Sequence, residues 1–316
     1  MTPKTRMLTI LIPIFIILST LPLYAPAYYI SLSIIIFMYA ILGVSWIIIS
    51  GYTGYISLGI AAFFGIGAYV TVLFWTTFPL PLPILIVLGG LVSAFFAAVI
   101  GFPILRIRGP YFVFVTLGLS MLLKYVFEVY QAYVLKRVGI PLLGPPSMEV
   151  LYYSLLVLGI ITIVSAHVIK NSKFGLGLFS IRGDEEAAEA MGVNTTMYKV
   201  AAFAISSLFM GSAGAIVALR WTWIEPHIVF NPMITFQASI MALLGGWTDF
   251  RGPILGAVVL VLIAEAFGIR YPYHYLILLG ITLILLVKFL PMGLIGAIER
   301  LRIGKKQVSE VKDAGS

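Results

Sequence analysis

Side chains able to do chemistry are scarce in this sequence, and most stand alone. Cysteine is absent, so there is no thiolate nucleophile, thiolate metal site or disulfide framework. The three histidines, His167, His227 and His274, are scattered singly and give no histidine-based metal site. Charge gathers at only a few places. Lys124 and Glu128 lie four residues apart inside an apolar run, share a helix face and can pair. Asp249 and Arg251 sit in a break rich in glycine and proline. Asp184, Glu185 and Glu186 open a short polar stretch that closes at Gly192. None of these groupings has the clustered His, Cys or carboxylates at helix ends that an embedded enzyme needs. No G-x-x-x-x-G-K-[ST] phosphate loop occurs, since Gly304-Lys305-Lys306 lacks its spacing. The chain is therefore expected to hold no ATPase site, metal or cofactor of its own.

The remainder of the sequence explains that scarcity. Of 316 residues, 61% are hydrophobic and 10% charged, where a soluble domain carries about 25% charged residues. Apolar surface on this scale belongs in a bilayer, so the expected fold is an all-α, polytopic transmembrane helix bundle. A span needs about 20 mostly apolar residues. Ten candidates are readable: Met7–Tyr24, Tyr28–Ile49, Ile56–Trp75, Leu82–Leu105, Tyr111–Tyr130, Leu151–Ile169, Val200–Leu219, Met233–Leu244, Ile254–Phe267 and Tyr275–Leu290. Met233–Leu244 and Ile254–Phe267 are short and flank a glycine-rich break, as two spans or as a re-entrant pair would. The first candidate has the basic start of a signal peptide in Lys4 and Arg6. Its apolar run is longer than a usual signal core and Pro13 interrupts it, so it reads as a retained helix.

The formal charge of +8 is explained by membrane orientation rather than by nucleic acid. With a cytoplasmic N-terminus, ten spans place 15 Lys and Arg inside and Lys136, Arg137, Arg220 and Arg270 outside. Both termini are then cytoplasmic. Tyr24, Tyr28 and Tyr29, Trp221 and Trp223, and Tyr271, Tyr273 and Tyr275 mark the outer headgroup level. Residues 1–304 form a single transmembrane domain with a cytoplasmic loop over 170–199, and 305–316 form a polar tail.

Three places depart from apolar helix. Between Ser50 and Gly59, the glycines Gly51, Gly54 and Gly59 alternate with Thr53 and Ser57. Such a segment is either a cytoplasmic turn before a small-residue packing face or an unwound element lining a translocation path, because irregular backbone at membrane depth needs protein or water to cover it. The second is Leu244-Gly245-Gly246-Trp247-Thr248-Asp249-Phe250-Arg251-Gly252-Pro253, where Pro253 and the glycines forbid a continuous helix. Gly51-Tyr52-Thr53 and Gly246-Trp247-Thr248 share an outline, a hint of internal duplication. The third is the loop over 170–199. Asp184 or Gly183 can cap a helix there, Glu185 and Glu186 suit its positive end, Ala187, Ala188 and Ala190 favour it, and Gly192 stops it. This predicts a helix of about two to three turns, too short to stand alone in water. It is either a surface loop or a docking element.

Glu186-Ala187-Ala188, three residues and then Gly192 resembles the EAA loop of ABC-importer permeases. Where that class continues with Ile-x-Leu-Pro, this chain has Ala204-Ile205-Ser206-Ser207. As a whole the chain resembles a narrower group, the branched-chain amino-acid (LivM-type) permeases, on four stretches in the family's order. These are Gly51-Tyr52-Thr53-Gly54-Tyr55-Ile56-Ser57-Leu58-Gly59 with 62–69, Arg108-Gly109-Pro110-Tyr111-Phe112 with Thr116-Leu117, the loop from Ile181 to Gly192, and Leu244-Gly245-Gly246 with 252–257. Where the family reads Gly-Gln-x-Ser-Leu-Gly-His, this chain reads Gly54-Tyr55-Ile56-Ser57-Leu58-Gly59-Ile60.

The resemblance implies a permease subunit of an ATP-driven importer in a prokaryotic cell membrane. It implies a second, LivH-type permease, two ABC ATPase subunits that use the ATP, and an extracytoplasmic substrate-binding protein. Asp184, Glu185, Glu186, Ala187, Ala188 and Gly192 would couple to the ATPase. Gly51, Thr53, Gly54, Ser57, Gly59, Gly245 and Gly246 would line the path. Urea, short amides or aromatic acids are alternative cargoes within the same group. A gradient-driven carrier is the rival class and would have to work through Glu128 and Glu265.

Overall fold

The computed structural model describes residues 18–78, 80–136, 139–268, 277, 280–281 and 293–296. Residues 18–24 are helical. The long elements that follow are α1 (Ala27–Trp46), continued by a π-helical turn over Ile47–Gly51, α2 (Ile60–Thr77), α3 (Leu82–Ile104) and α4 (Pro110–Tyr130), which a second π turn extends over Gln131–Leu135. After α5 (Met148–Lys170) come two short helices, α6 (Lys173–Gly183) and α7 (Glu185–Ala190). Then follow α8 (Thr195–Ala218), α9 (Pro226–Val229), α10 (Pro232–Gly245) and α11 (Arg251–Gly268). Two-residue strands β1 (Ile140–Pro141) and β2 (Trp223–Ile224) pair antiparallel and tie the C-terminal end of α4 to that of α8.

Among the described residues, seven helical runs are long and apolar enough to cross a membrane: those of α1 to α5 with their π extensions, α8, and Pro226–Gly245. These match six of the expected spans and enlarge a seventh. The expected segments Met7–Tyr24 and Tyr275–Leu290 lie largely outside the described residues, as does the tail 305–316. Several boundaries differ: the span expected from Val200 begins at Thr195, and the run expected from Met233 begins at Pro226. The third span was expected from Ile56, but α2 begins at Ile60, because residues 54–59 are non-helical.

Small residues decide how the bundle closes. The runs of α1, α2, α8 and α10 are mostly buried, while α3, α4 and α5 leave most of their surface outward. A Cβ on Gly67 of α2 would lie 1.9 Å from the Gly211 carbonyl oxygen of α8, and one on Gly214 would lie 2.0 Å from the Phe64 carbonyl oxygen. On α3, Ser93 donates to the Phe63 carbonyl at 3.1 Å. Close backbone approach of this kind replaces the hydrophobic drive that lipid cannot supply between helices. Outward faces carry large apolar side chains such as Phe95, Phe114, Leu122 and Val157, which suits contact with lipid chains.

The bundle has two chemically different ends. Helix α8 starts at Thr195, at the end that gathers Arg108, Lys170, Arg182, Lys199 and Asp249. It finishes beside the strand pair, at the end where Arg220 donates to Ser31 of α1 at 2.7 Å and Tyr28 donates to Glu265 at 2.6 Å.

Candidate functional site

At the charged end, two interrupted helices and a helical elbow converge. The first interruption is the non-helical run 54–59 between α1 and α2. Its course is back along α1, since the Trp46 indole donates to the Ser57 carbonyl at 2.7 Å. Hydroxyl groups satisfy its backbone nearly residue by residue. The Tyr55 N–H reaches the Thr53 hydroxyl, the Ser57 N–H that of Ser50, the Leu58 N–H that of Thr116, and the Gly59 N–H that of Ser57. The first N–H groups of α2 continue the pattern, with Ala61 donating to Thr235 of α10 at 2.9 Å. Buried backbone in a bilayer needs such partners at every group. Thr53 and Ser57, read from the sequence as groups that could meet a substrate, thus have their hydroxyls engaged with backbone.

The second interruption runs from Gly246 to Phe250, between α10 and α11. The two helices fold back on each other with almost no space between backbones. A Cβ at Gly245 would stand 1.6 Å from the Gly252 carbonyl oxygen, and one at Gly256 would stand 1.8 Å from that of Met241. Asp249 opens α11 by accepting from the Arg251 N–H at 3.0 Å and pairs with Lys170 at the end of α5 at 2.8 Å. Burial pushes the Asp249 carboxyl up, but the hydrogen bonds from Lys170 and the Arg251 backbone, with both positive charges, outweigh it and hold the group below its ordinary value. The second interruption touches the end of the π turn that precedes the first: a Cβ on Gly51 would lie 2.4 Å from the Trp247 carbonyl oxygen.

The elbow is α6 and α7. Ser172 caps α6 by accepting from the Gly175 N–H at 3.1 Å. Asp184, extended at φ −157°, breaks the helix and then caps α7 by accepting from the Glu186 and Ala187 N–H groups at 2.9 and 3.1 Å. Gly192, at φ +89°, ends the motif, with the Val193 N–H returning to the Ala188 carbonyl at 3.0 Å. The sequence predicted a helix of two to three turns here. The observed α7 has 6 residues, because the extended Asp184 and the Gly192 stop confine it between them. Helix α6 was not expected as a separate element.

Ion pairs fasten this elbow. Lys199, at the start of α8, donates to Glu185 at 2.6 Å, to the Leu105 carbonyl at 2.9 Å and to the Tyr55 hydroxyl at 3.1 Å. Tyr55 in turn donates to Glu185. Arg108 approaches Glu185 at 3.7 Å and Glu186 at 3.1 Å. Burial pushes the Glu185 carboxyl up. Hydrogen bonds from Lys199 and Tyr55, and the charges of Lys199 and Arg108, outweigh that and leave it below its ordinary value. The rest of α7 faces outward: Ala188 is buried, while Glu186, Ala187, Glu189 and Ala190 are exposed, as is Met191 beyond it.

No step of bond chemistry is readable in this arrangement. Among the described residues, no three His, Asp or Glu side chains gather to hold a metal ion. What it offers is a mechanical junction, in which an exposed short helix is tied by charge and hydrogen bonds to two breaks in the bundle.

The family model for the branched-chain amino acid transport system permease component matches residues 28–287. The chain belongs to this permease family. It is 28% identical to the high-affinity branched-chain amino acid transport system permease protein LivM of Salmonella typhimurium, over 82% of this chain and 68% of the relative. The LivM protein of Escherichia coli is 27% identical over the same shares. The ribose import permease protein RbsC of Haemophilus influenzae is 24% identical over 44% of this chain and 45% of its own length. No solved structure matches significantly.

Within this family member, the residues singled out in sequence fall into one connected region. Gly54, Ser57 and Gly59 lie in the first break with Gly51 and Thr53 just before it, Gly245 ends α10 and Gly246 begins the second break, and Asp184 to Gly192 form the elbow's outer half. The groups that join them were not singled out. Lys199 read only as an inside charge, and Tyr55, Arg108 and Arg182 only as members of the stretches that carry the family resemblance. The Lys124–Glu128 pair does form, at 3.8 Å, apart from this region.

Proposed function

We propose that this permease subunit forms half of the translocation pathway of an ATP-driven importer for branched-chain amino acids in a prokaryotic inner membrane. The observation that carries the proposal is the family match across 28–287, which spans both breaks and the elbow. The names of the LivM relatives supply the substrate class. In this reading the charged end is cytoplasmic, as the concentration of Arg108, Lys170, Arg182 and Lys199 there favours. Both termini are then cytoplasmic as well.

The partners are a second permease of LivH type, two ABC ATPase subunits and an extracytoplasmic binding protein. Helix α7 is the coupling element: its outward face, from Glu186 to Met191, seats on an ATPase subunit. ATP-driven closure of the ATPases displaces α7 as a rigid body, and the Gly51–Gly59 and Gly245–Gly246 breaks line the path that opens and closes. The test is co-purification in mild detergent of the chain with its native partners, together with ATP-dependent uptake of labelled leucine, repeated with Ala187→Trp on the exposed face of α7. Recovery of ATPase subunits that the variant loses supports the proposal. A well-folded chain that purifies alone and catalyses no ATP-dependent uptake overturns it.

A further inference from the structure

The two breaks are far apart in sequence, yet one side chain of the elbow touches both. Arg182 lies in the last turn of α6, two residues before the Asp184 cap. Its Nη1 donates to the Gly51 carbonyl at 2.7 Å. Its guanidinium lies 4.5 Å from the centroid of the Trp247 ring. A Cβ on Gly54 would come within 3.3 Å of the Arg182 Cγ, so the arginine stem also lies along the non-helical run. Gly51 ends the π turn of α1, and Trp247 follows the end of α10.

We infer that Arg182 is the positioning residue through which movement of the α6–α7 elbow reaches both breaks at once. The inference rests on the reading of α7 as the coupling element. A planar guanidinium can hydrogen-bond a carbonyl in its plane and stack on an indole with its face, whereas a lysine ammonium has no flat face to stack. The other ties do not share this geometry. Glu185 grips only the first break, through Tyr55, and Lys170 grips only the second, through Asp249. Because Gly51 and Trp247 are themselves in backbone contact, one displaced guanidinium moves them as a unit or lets them part.

The test uses the complete importer, this chain with its native partner subunits, reconstituted in proteoliposomes, with ATP hydrolysis and leucine uptake measured on the same sample. Arg182→Met is expected to keep subunit assembly and ATP hydrolysis while lowering leucine imported per ATP by about tenfold. Arg182→Lys, which keeps the bond to Gly51 and loses the stack, is expected to recover part of that ratio. Trp247→Leu is the second variant and is expected to fall with Arg182→Lys. A wild-type leucine-to-ATP ratio in Arg182→Met overturns the inference. Should that variant fail to assemble, a wild-type ratio in Trp247→Leu overturns it instead. Failure of the underlying functional reading shows differently, as the absence of ATP-driven leucine uptake by the unmutated complex.

Discussion

The ammonium of Lys199 sits 2.6 Å from a Glu185 carboxylate oxygen with only 4% of its side chain exposed, against 13% for Glu185. The lysine is thus the more deeply committed partner, since Glu185 also has Arg108 beside it. Glu185→Gln leaves a buried cation with only neutral oxygens around it, and is expected to lower the stability of the detergent-solubilised chain by about 3 kcal/mol. Lys199→Met should cost less, because Arg108 still neutralises the carboxylate. The double variant should recover much of the loss, as a coupled pair does. Thermal unfolding of the three variants checks this, and strictly additive losses would show that the two groups are energetically independent.

The same junction sets a pH dependence. Glu185 and Asp249 are both held below their ordinary values of 4.5 and 3.8. A carboxyl with a depressed folded value binds fewer protons folded than unfolded, so stability rises with pH across that window. The contribution is complete above the ordinary values and is lost as pH falls through the lower folded ones. Thermal midpoints measured downward from neutrality should stay level until the ordinary carboxylate range and then drop. Glu185→Gln should flatten part of that drop, and an unchanged slope in the variant would exclude Glu185 as a contributor.

Spans were legible in the sequence because run length alone identifies them. The breaks were legible because clusters of glycine with hydroxyl residues, and with Pro253 in the second, interrupt apolar runs; Gly54 and Gly246 take positive φ there, at +80° and +117°. The start of α2 was misplaced for a physical reason. Ile56 and Leu58 are apolar and read as helix, but their segment is held open by hydroxyls at Ser50 and at the distant Thr116 and Thr235. Helix α6 was missed because Gly175 and Gly177 lower its intrinsic propensity. It forms against the rest of the protein, where a Cβ on Gly175 would stand 2.1 Å from the Ile169 carbonyl oxygen and one on Gly177 would stand 2.3 Å from the Tyr198 ring. Propensity cannot report such contacts. Nor does spacing reveal that Glu185 meets Lys199, or that Arg182 meets Gly51, because those pairings depend on where the elbow folds.

The α2–α8 contact predicts a sharp contrast between glycines. Gly67→Val places side-chain carbons where the Gly211 carbonyl already sits, 1.9 Å from an added Cβ. It should destabilise the bundle by at least about 2 kcal/mol. Gly118, on the exposed face of α4, has open space around an added Cβ. Gly118→Ala should be neutral or stabilising by up to about 1 kcal/mol through helix propensity. Midpoints from unfolding in detergent separate the two. A tolerated Gly67→Val would mean that α2 and α8 can part without loss.

The end of α7 predicts a contrast of a different kind, between two glycines with empty surroundings. Neither Gly183 nor Gly192 has a heavy atom within 4 Å of an added Cβ. They differ in backbone: Gly192 is at φ +89°, and Gly183 closes α6 in a helical turn. Steric space therefore permits alanine at both, and conformation permits it at only one. Gly192→Ala should cost about 1 kcal/mol, the expense of a left-handed backbone for a residue with a Cβ. Because Gly192 and Val193 donate back into α7, to Glu189 at 2.9 Å and Ala188 at 3.0 Å, the strain falls on the helix itself. Hydrogen exchange should therefore speed up in a peptide covering Met191 to Val193 in Gly192→Ala, and stay at the parent rate in Gly183→Ala. Equal exchange in the two variants would mean that the Asp184 cap alone holds α7 together.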